Sequence, residues 1–274
     1  MITALPSGIP TIDAYEQLGR SPDFARIAEF SDAFLAANRD ALRGYRRRWV
    51  ADPLRQWSRR WEYPFTLGGL SDHFGDRRFT VLDAGSGATF LPFLVADRMR
   101  AEVHCCDHDT DLAEVFDRVN QRCAAPVTFA AADLRDLPYE PASFDAVYCV
   151  SVLEHTDRRG DIVRELHRVL RPGGLLLLTF DLPTAPPDDD PEHIAMISAL
   201  DGLFDSDSPL DAHREAGRPG TLTTAYAASV DRRLLPWRHP TLYRLSCLIS
   251  GHGWISWPPG LTVACLRLTK RGRP

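Results

Sequence analysis

Five acids and one histidine stand directly after apolar runs: Asp83, Asp107, Asp133, Glu154 with its neighbour His155, and Asp181. A carboxylate in such a place can accept hydrogen bonds from vicinal hydroxyls, from an exocyclic amine or from an ammonium group. A neutral imidazole is suited to taking a proton near pH 7. After Asp83 comes Gly85-Ser86-Gly87, and glycines let backbone N–H groups approach a ligand where a Cβ would intrude. Asp107 suits a ribose diol and Asp133 suits an amine such as that of adenine, so the strand ends together describe a nucleoside-shaped cleft. Taken singly, each acid also reads as an ordinary cap or a solvated loop acid.

The runs that carry these residues alternate with helical patterns. Residues 79–82, 101–106, 127–131, 144–150 and 175–180 read as strands, and 91–100, 111–122 and 158–170 as helices. Leu112, Val115, Phe116 and Val119 share one helical face, as do Ile162, Val163, Leu166, Val169 and Leu170. Asp109 or Thr110 would cap the second helix. Arg171-Pro172-Gly173-Gly174 reads as a helix terminator. This alternation predicts an α/β fold with a parallel sheet, right-handed crossovers and a ligand crevice at the carboxyl ends of the strands. Residues 261–269 alternate as a final strand, and a sixth strand is placed loosely within 240–250.

The flanks are less regular. In residues 1–78, Ser21-Pro22-Asp23 is a helix start, and Phe24, Ile27, Ala28, Phe34 and Leu35 recur at helical spacing. Arginines then alternate with aromatics from Arg43 through Trp49, Arg55, Trp57, Arg59, Arg60 and Trp61. That mixture suits either a nucleic-acid surface or an amphipathic helix whose Trp rings pack down while the Arg heads stay solvated. The helix reading takes precedence, because the positive charge is local. Glu62-Tyr63-Pro64-Phe65 ends the segment, and Leu67-Gly68-Gly69-Leu70 reads as a turn. Beyond Asp181, residues 183–191 read as a loop, 192–203 as a short helix and 204–220 as a polar insert.

The 274 residues carry a net charge of −5, with 44% hydrophobic and 25% charged residues, a composition that argues against a dedicated nucleic-acid binder. The six cysteines show no CxxC spacing; Cys105, Cys106 and Cys149 fall inside strands, where Cys behaves as a small buried hydrophobe. With no basic leader and no apolar run of bilayer length, a reduced cytoplasmic enzyme without membrane contact is expected.

A dinucleotide fold wants G-x-G-x-x-G/A, and here the last position is Phe90. Asp83 would be a poor neighbour for a pyrophosphate and a good one for an ammonium, which favours a cationic ligand with an amino-acid tail. The motifs are Val81-Leu82-Asp83-Ala84-Gly85-Ser86-Gly87, Asp107, Ala132-Asp133-Leu134-Arg135-Asp136-Leu137-Pro138, Ser143-Phe144-Asp145, Ser151-Val152-Leu153-Glu154-His155 and Leu170-Arg171-Pro172-Gly173-Gly174. In their order and spacing the chain resembles the class I S-adenosylmethionine-dependent methyltransferases over residues 79–181.

The resemblance implies a Rossmann-like, doubly wound, seven-stranded and mostly parallel sheet with helices on both faces, plus an N-terminal helical segment and an insert after strand five. It divides the chain into a helical lid region, 1–78, and a binding domain, 79–274, with a substrate-covering insert at about 182–240. Asp83, Gly85, Ser86 and Gly87 would face the methionine part, and Asp107 would hold the ribose. His108 would cover the adenine, Asp133 and the Leu134 N–H would bind it, and Val150 and Ser151 would lie beneath the methyl group. The product would be S-adenosylhomocysteine.

Methyl transfer from a sulfonium is an in-line displacement, so alignment and exclusion of water matter most. For a hydroxyl acceptor His155 is the first candidate base; Glu154 and Asp181 follow, then His213 and His239. Trp61 and Tyr63 would wall the substrate pocket. A metal-assisted route through Asp181, Glu154 and Asp188–Asp190 is set aside, since a Pro-flanked acidic run reads as a solvated loop. His104-Cys105-Cys106-Asp107-His108 alternates faces along a strand and cannot converge on one ion; no metal is expected. Strand four is followed neither by an Asn/Asp-Pro-Pro-aromatic turn nor by a Pro-Cys nucleophile. The expected acceptor is therefore a small molecule, with O-methylation in natural-product metabolism preferred to N- or C-methylation. RNA methylation and a non-catalytic pseudo-methyltransferase are the alternatives. The assembly is expected to be a monomer or a homodimer.

Overall fold

The computed structural model describes residues 2–48, 52–185, 190–210, 215–236 and 257–272. Among the described residues seven strands form one sheet: β1 Phe79–Ala84, β2 Ala101–Asp107, β3 Thr128–Ala131, β4 Phe144–Val150, β5 Leu170–Pro183, β6 Phe204–Ser206 and β7 Leu261–Lys270. Their order is β3-β2-β1-β4-β5-β7-β6. β1 through β5 pair in parallel, and β7 runs antiparallel to both β5 and β6. β1 and β4 are buried along nearly their whole length, as strands covered on both faces must be.

Nine helices are described: α1 Ile12–Gly19, α2 Pro22–Ala37, α3 Tyr45–Arg48, α4 Arg59–Phe74, α5 Leu91–Arg98, α6 Leu112–Asn120, α7 Arg159–Val169, α8 Pro191–Leu203 and α9 Thr224–Val230. α2 starts where Ser21-Pro22 signals it, with Ser21 Oγ accepting from the Phe24 N–H at 3.1 Å. One apolar layer joins Phe24, Trp57, Trp61 and Phe65 to Val81, Phe90, Phe93 and Val103. The opposite layer joins Leu82, Val147 and Leu176 to Ile162, Val163 and Leu166 of α7 and Met196 of α8. No helix among the described residues is long and apolar enough to cross a membrane.

Several sequence expectations change. α4 runs through Pro64 and through Gly68-Gly69 to Phe74, where propensity predicts an end and then a turn. Tertiary burial overrides propensity here: every residue from Trp61 to Leu70 is buried. The glycines permit that contact, since a Cβ on Gly69 would sit 2.8 Å from Leu177 Cδ2 of β5. The Arg heads of this helix are not all solvated either. Arg59 is drawn inward, its side chain only 18% exposed, by an ion pair with Glu62. α7 does stop at Val169, but Leu170 already pairs with Phe144, so Arg171–Gly174 belongs to the irregular start of β5 rather than to a capping loop. The sixth strand is the short edge strand β6, within a stretch that composition marks as polar insert; residues 240–250 lie outside the described residues. α6 begins after Asp111 without a side-chain cap, Asp109 instead accepting from the Asp111 N–H at 3.0 Å.

Candidate active site

The carboxyl ends of β1 to β4 open onto one cleft of about 1040 Å³. Asp83, Gly85, Ser86 and Gly87 line it after β1, Asp107 and His108 after β2, Asp133 and Leu134 after β3, and Val150, Ser151 and His155 at and beyond the end of β4. The N-terminal region adds Tyr45, Arg59 and Tyr63. Parallel strands terminating side by side bring these polar groups together although they are far apart in sequence.

The glycine turn is strapped to β2: the Gly85 and Ser86 N–H groups both donate to Cys106 O, at 2.9 and 3.0 Å. Gly85 has φ +76°, and a Cβ there would lie 2.6 Å from Val152 Cγ2. Gly85→Ala is therefore strained in its backbone and clashes as well. It should lower the unfolding free energy by about 1–3 kcal/mol, visible as a reduced Tm; an unchanged Tm would mean that the turn relaxes freely.

Asp107 organises the next part of the cleft. Its Oδ2 accepts from the Gly87 N–H at 2.9 Å and its Oδ1 from the Asp109 N–H at 3.1 Å. His108 Nδ1 lies 3.2 Å from Oδ1, with its side chain 86% exposed. Asp133 is gripped by Arg135, whose Nη2 and Nε approach its two oxygens at 2.7 and 2.9 Å, while Nη1 reaches Asp157 at 2.7 Å. Hydrogen bonds from the Arg135 side chain, joined by its backbone N–H, draw the Asp133 carboxyl down to about 2. Arg135 thus ties the loop after β3 to the loop after β4.

The β4 end holds a buried charge cluster. Glu62 of α4 is fully enclosed. Its Oε1 accepts from the Ser151 hydroxyl at 2.5 Å and the Thr179 hydroxyl at 2.6 Å, and its Oε2 pairs with Arg59 Nη1 at 2.5 Å. Ser151 has a left-handed backbone, φ +48°, held by its N–H donating to Thr179 O at 2.9 Å. Behind them Glu154 Oε1 accepts from the Asp181 N–H at 3.2 Å. Burial pushes the Glu154 carboxyl up to about 7. Burial, then the neighbouring Glu154 and Glu62 charges, push Asp181 well above the ordinary range. Asp83 is raised well above it too, chiefly by burial; the Tyr148 hydroxyl is close enough to moderate the shift but not in hydrogen-bonding geometry. Asp83 Oδ2, Glu154 Oε2 and Asp181 Oδ1 are enclosed without a hydrogen bond.

His155 lines the cleft. Its pKa is lowered by partial burial and then by the charges of Arg59 and Arg159, which favours the neutral imidazole at pH 7. Not every expected site residue faces the cleft. Glu154 and Asp181 do not line it, and Trp61 is packed into the core at 1% exposure. Asp188, Asp189, His213 and His239 lie outside the described residues. Arg59, Glu62 and Tyr45 are groups that sequence reasoning missed. The available signal was Glu62 itself, an acid opening an otherwise apolar buried run. Among the described residues no three His, Cys, Asp or Glu side chains are arranged to hold a metal ion.

Residues 82–178 match the family model described as a methyltransferase domain. The chain is 35% identical over 100 residues to the ubiquinone biosynthesis O-methyltransferase of Xanthomonas campestris pv. campestris, covering 36% of this chain and 41% of that one. It is 48% identical over 52 residues to the 27-O-demethylrifamycin SV methyltransferase of Amycolatopsis mediterranei, 19% of each chain. The chain thus spans about two-fifths of the length of the first of these relatives. A solved structure from Galdieria sulphuraria, described as a candidate sarcosine dimethylglycine methyltransferase, shares the fold with TM-score 0.51 at 16% identity, over 75% of this chain and 84% of that one. The strand order and the shared architecture give the chain a Rossmann-like methyltransferase fold, and residues 82–178 are similar to the methyltransferase-domain family.

Proposed function

We propose that the protein transfers a methyl group from S-adenosylmethionine to a hydroxyl of a small molecule. The observation that carries this reading is the lining of one cleft by Asp83, Asp107 and Asp133 from three neighbouring strand ends. The residues present fit the cofactor. Asp83 Oδ2 is enclosed and without a hydrogen bond, which suits an ammonium group. Asp107 keeps a lone pair on each oxygen for a ribose diol beside the backbone N–H it already holds. Arg135 keeps Asp133 ionised for the adenine amine, with Leu134 beside it and His108 over the opening. Arg59 lines the cleft and spends one nitrogen on Glu62, leaving donors for the α-carboxylate. Bound there, the cofactor supplies an activated methyl on a sulfonium.

This chain's own residues align the acceptor, exclude water and take its proton. His155 is the proposed base, and Tyr63 a wall of the acceptor pocket. Tyr45, Arg59 and Tyr63 all come from the segment before residue 79, which supports its reading as a lid; the described residues between 190 and 236 line none of the cleft. Two relatives that act on hydroxyls by their names, the ubiquinone and rifamycin enzymes, favour oxygen as the acceptor atom.

The test is calorimetric titration with S-adenosylhomocysteine together with methyl transfer to a panel of phenolic and aliphatic alcohols. Binding and alcohol-dependent turnover are expected; tight NADH binding without either would refute the reading. His155→Ala should leave cofactor affinity within about threefold and reduce turnover roughly 100-fold. Equal turnover would remove His155 as the base.

A further inference from the structure

Glu62 lies outside the segment that the family model matches, yet it is bonded to the floor of the cleft. Both hydroxyl protons within its reach, those of Ser151 and Thr179, point at its Oε1. Since the Ser151 proton is committed to Glu62, Ser151 Oγ can show only lone pairs to the cleft that Ser151 lines. The left-handed backbone of Ser151 is the kind of conformation that persists only where its surroundings over-determine it, and here the Thr179 carbonyl and Glu62 do so. Glu154 and Asp181 feel the Arg59 charge at the same end, and Asp83 lines the cleft beside it. Three enclosed carboxylate oxygens there have no hydrogen bond. An enclosed acid without such a bond is pushed toward its neutral form unless a positive group completes it.

We infer that Glu62, acting through Ser151, is a positioning residue that stabilises the positive charge of the sulfonium at the β4 end of the cleft relative to the neutral thioether product. The inference rests on the cofactor reading above and adds a residue to it. A carboxylate behind a hydroxyl makes that hydroxyl a stronger acceptor, and Arg59 on the far oxygen keeps the carboxylate in place.

The experiment compares three ligands by calorimetry: S-adenosylhomocysteine, which is neutral at this position; S-adenosylmethionine; and sinefungin, which carries an amine in place of the sulfonium and transfers nothing. In Glu62→Gln the affinities for the two cationic ligands should fall roughly tenfold relative to that for S-adenosylhomocysteine, the weight of one charge-assisted hydrogen bond. The S-adenosylhomocysteine affinity itself should hold within about twofold. Ser151→Ala, which keeps the buried Arg59–Glu62 pair, should shrink the same ratio and serves if Glu62→Gln does not fold. A ratio unchanged in both variants, with all three ligands still bound, overturns the inference and leaves the cofactor reading standing. Failure of the wild-type protein to bind any of the three overturns both.

Discussion

Asp107→Ala is expected to weaken S-adenosylhomocysteine binding about 100- to 10,000-fold. Hydrogen bonds to a charged acceptor contribute about 1.5–3 kcal/mol each, and the substitution removes two of them from a ribose diol. It also releases the Gly87 and Asp109 N–H groups that this carboxylate holds at 2.9 and 3.1 Å. The glycine turn and the start of the next loop then lose the group that ties them together, so the loss should exceed that from the ribose contacts alone. Asp107→Asn, which retains one carbonyl oxygen, should fall between wild type and alanine. Calorimetry reads all three; equal affinity across them would place the ribose elsewhere in the cleft.

The second large effect is on stability against pH. Burial, opposed in part by backbone N–H groups and Arg59, holds Glu154 at about 7, and burial followed by the Glu154 and Glu62 charges holds Asp181 well above its ordinary range. For carboxyls raised in the folded state the stabilising contribution is complete below their unfolded pKa values, near 4. It is lost as pH rises through the folded values, from about 5 to 8 and beyond. A carboxyl moved from 4.5 to about 7 corresponds to roughly 3 kcal/mol over that window. Asp181→Asn removes one of the two charges while keeping the backbone N–H that Glu154 accepts, and it offers a side-chain donor to the unpaired oxygens. The variant should match wild type at pH 5 and exceed its Tm by several degrees at pH 8. Thermal melts at unit pH steps decide it; parallel wild-type and variant curves would move the pH dependence to other groups.

The convergence of Asp83, Asp107 and Asp133 on one cleft was legible because these groups follow directly from local pattern. An apolar run that stops at Asp83 before two glycines, and two further runs that stop at Asp107 and Asp133, place their acids at strand ends wherever the sheet forms. The methyl-transfer end was legible only in part. Ser151 and His155 follow the fourth run, but Glu62 is 89 residues from Ser151 and 117 from Thr179. No window of sequence contains that contact. Arg59 and Glu62 also have the composition of a solvated helix face, and only the packing of α4 against β5 shows that they turn inward. Gly68-Gly69 misleads for a related reason: local propensity reads a break where close approach to Leu177 needs the missing Cβ. Glu154 and Asp181 were singled out as candidate bases, but whether a side chain lines a cleft is set by turns that the spacing does not fix.

The bonding of Glu62 has a consequence for how such a protein can change. The acids proposed to hold a nucleoside come from residues 83–135, whereas Glu62, which takes the Ser151 hydroxyl at the other end of the cleft, comes from a helix before residue 79. The two ends of the cleft therefore draw on separate stretches of chain and can vary at different rates. Substitutions along α4 can reshape the charge and the walls of the reacting end while the strand-end acids stay as they are. Docking of α4 in turn becomes a condition for a finished reacting end, so the site is assembled by folding of the N-terminal region onto the sheet and not by the sheet alone.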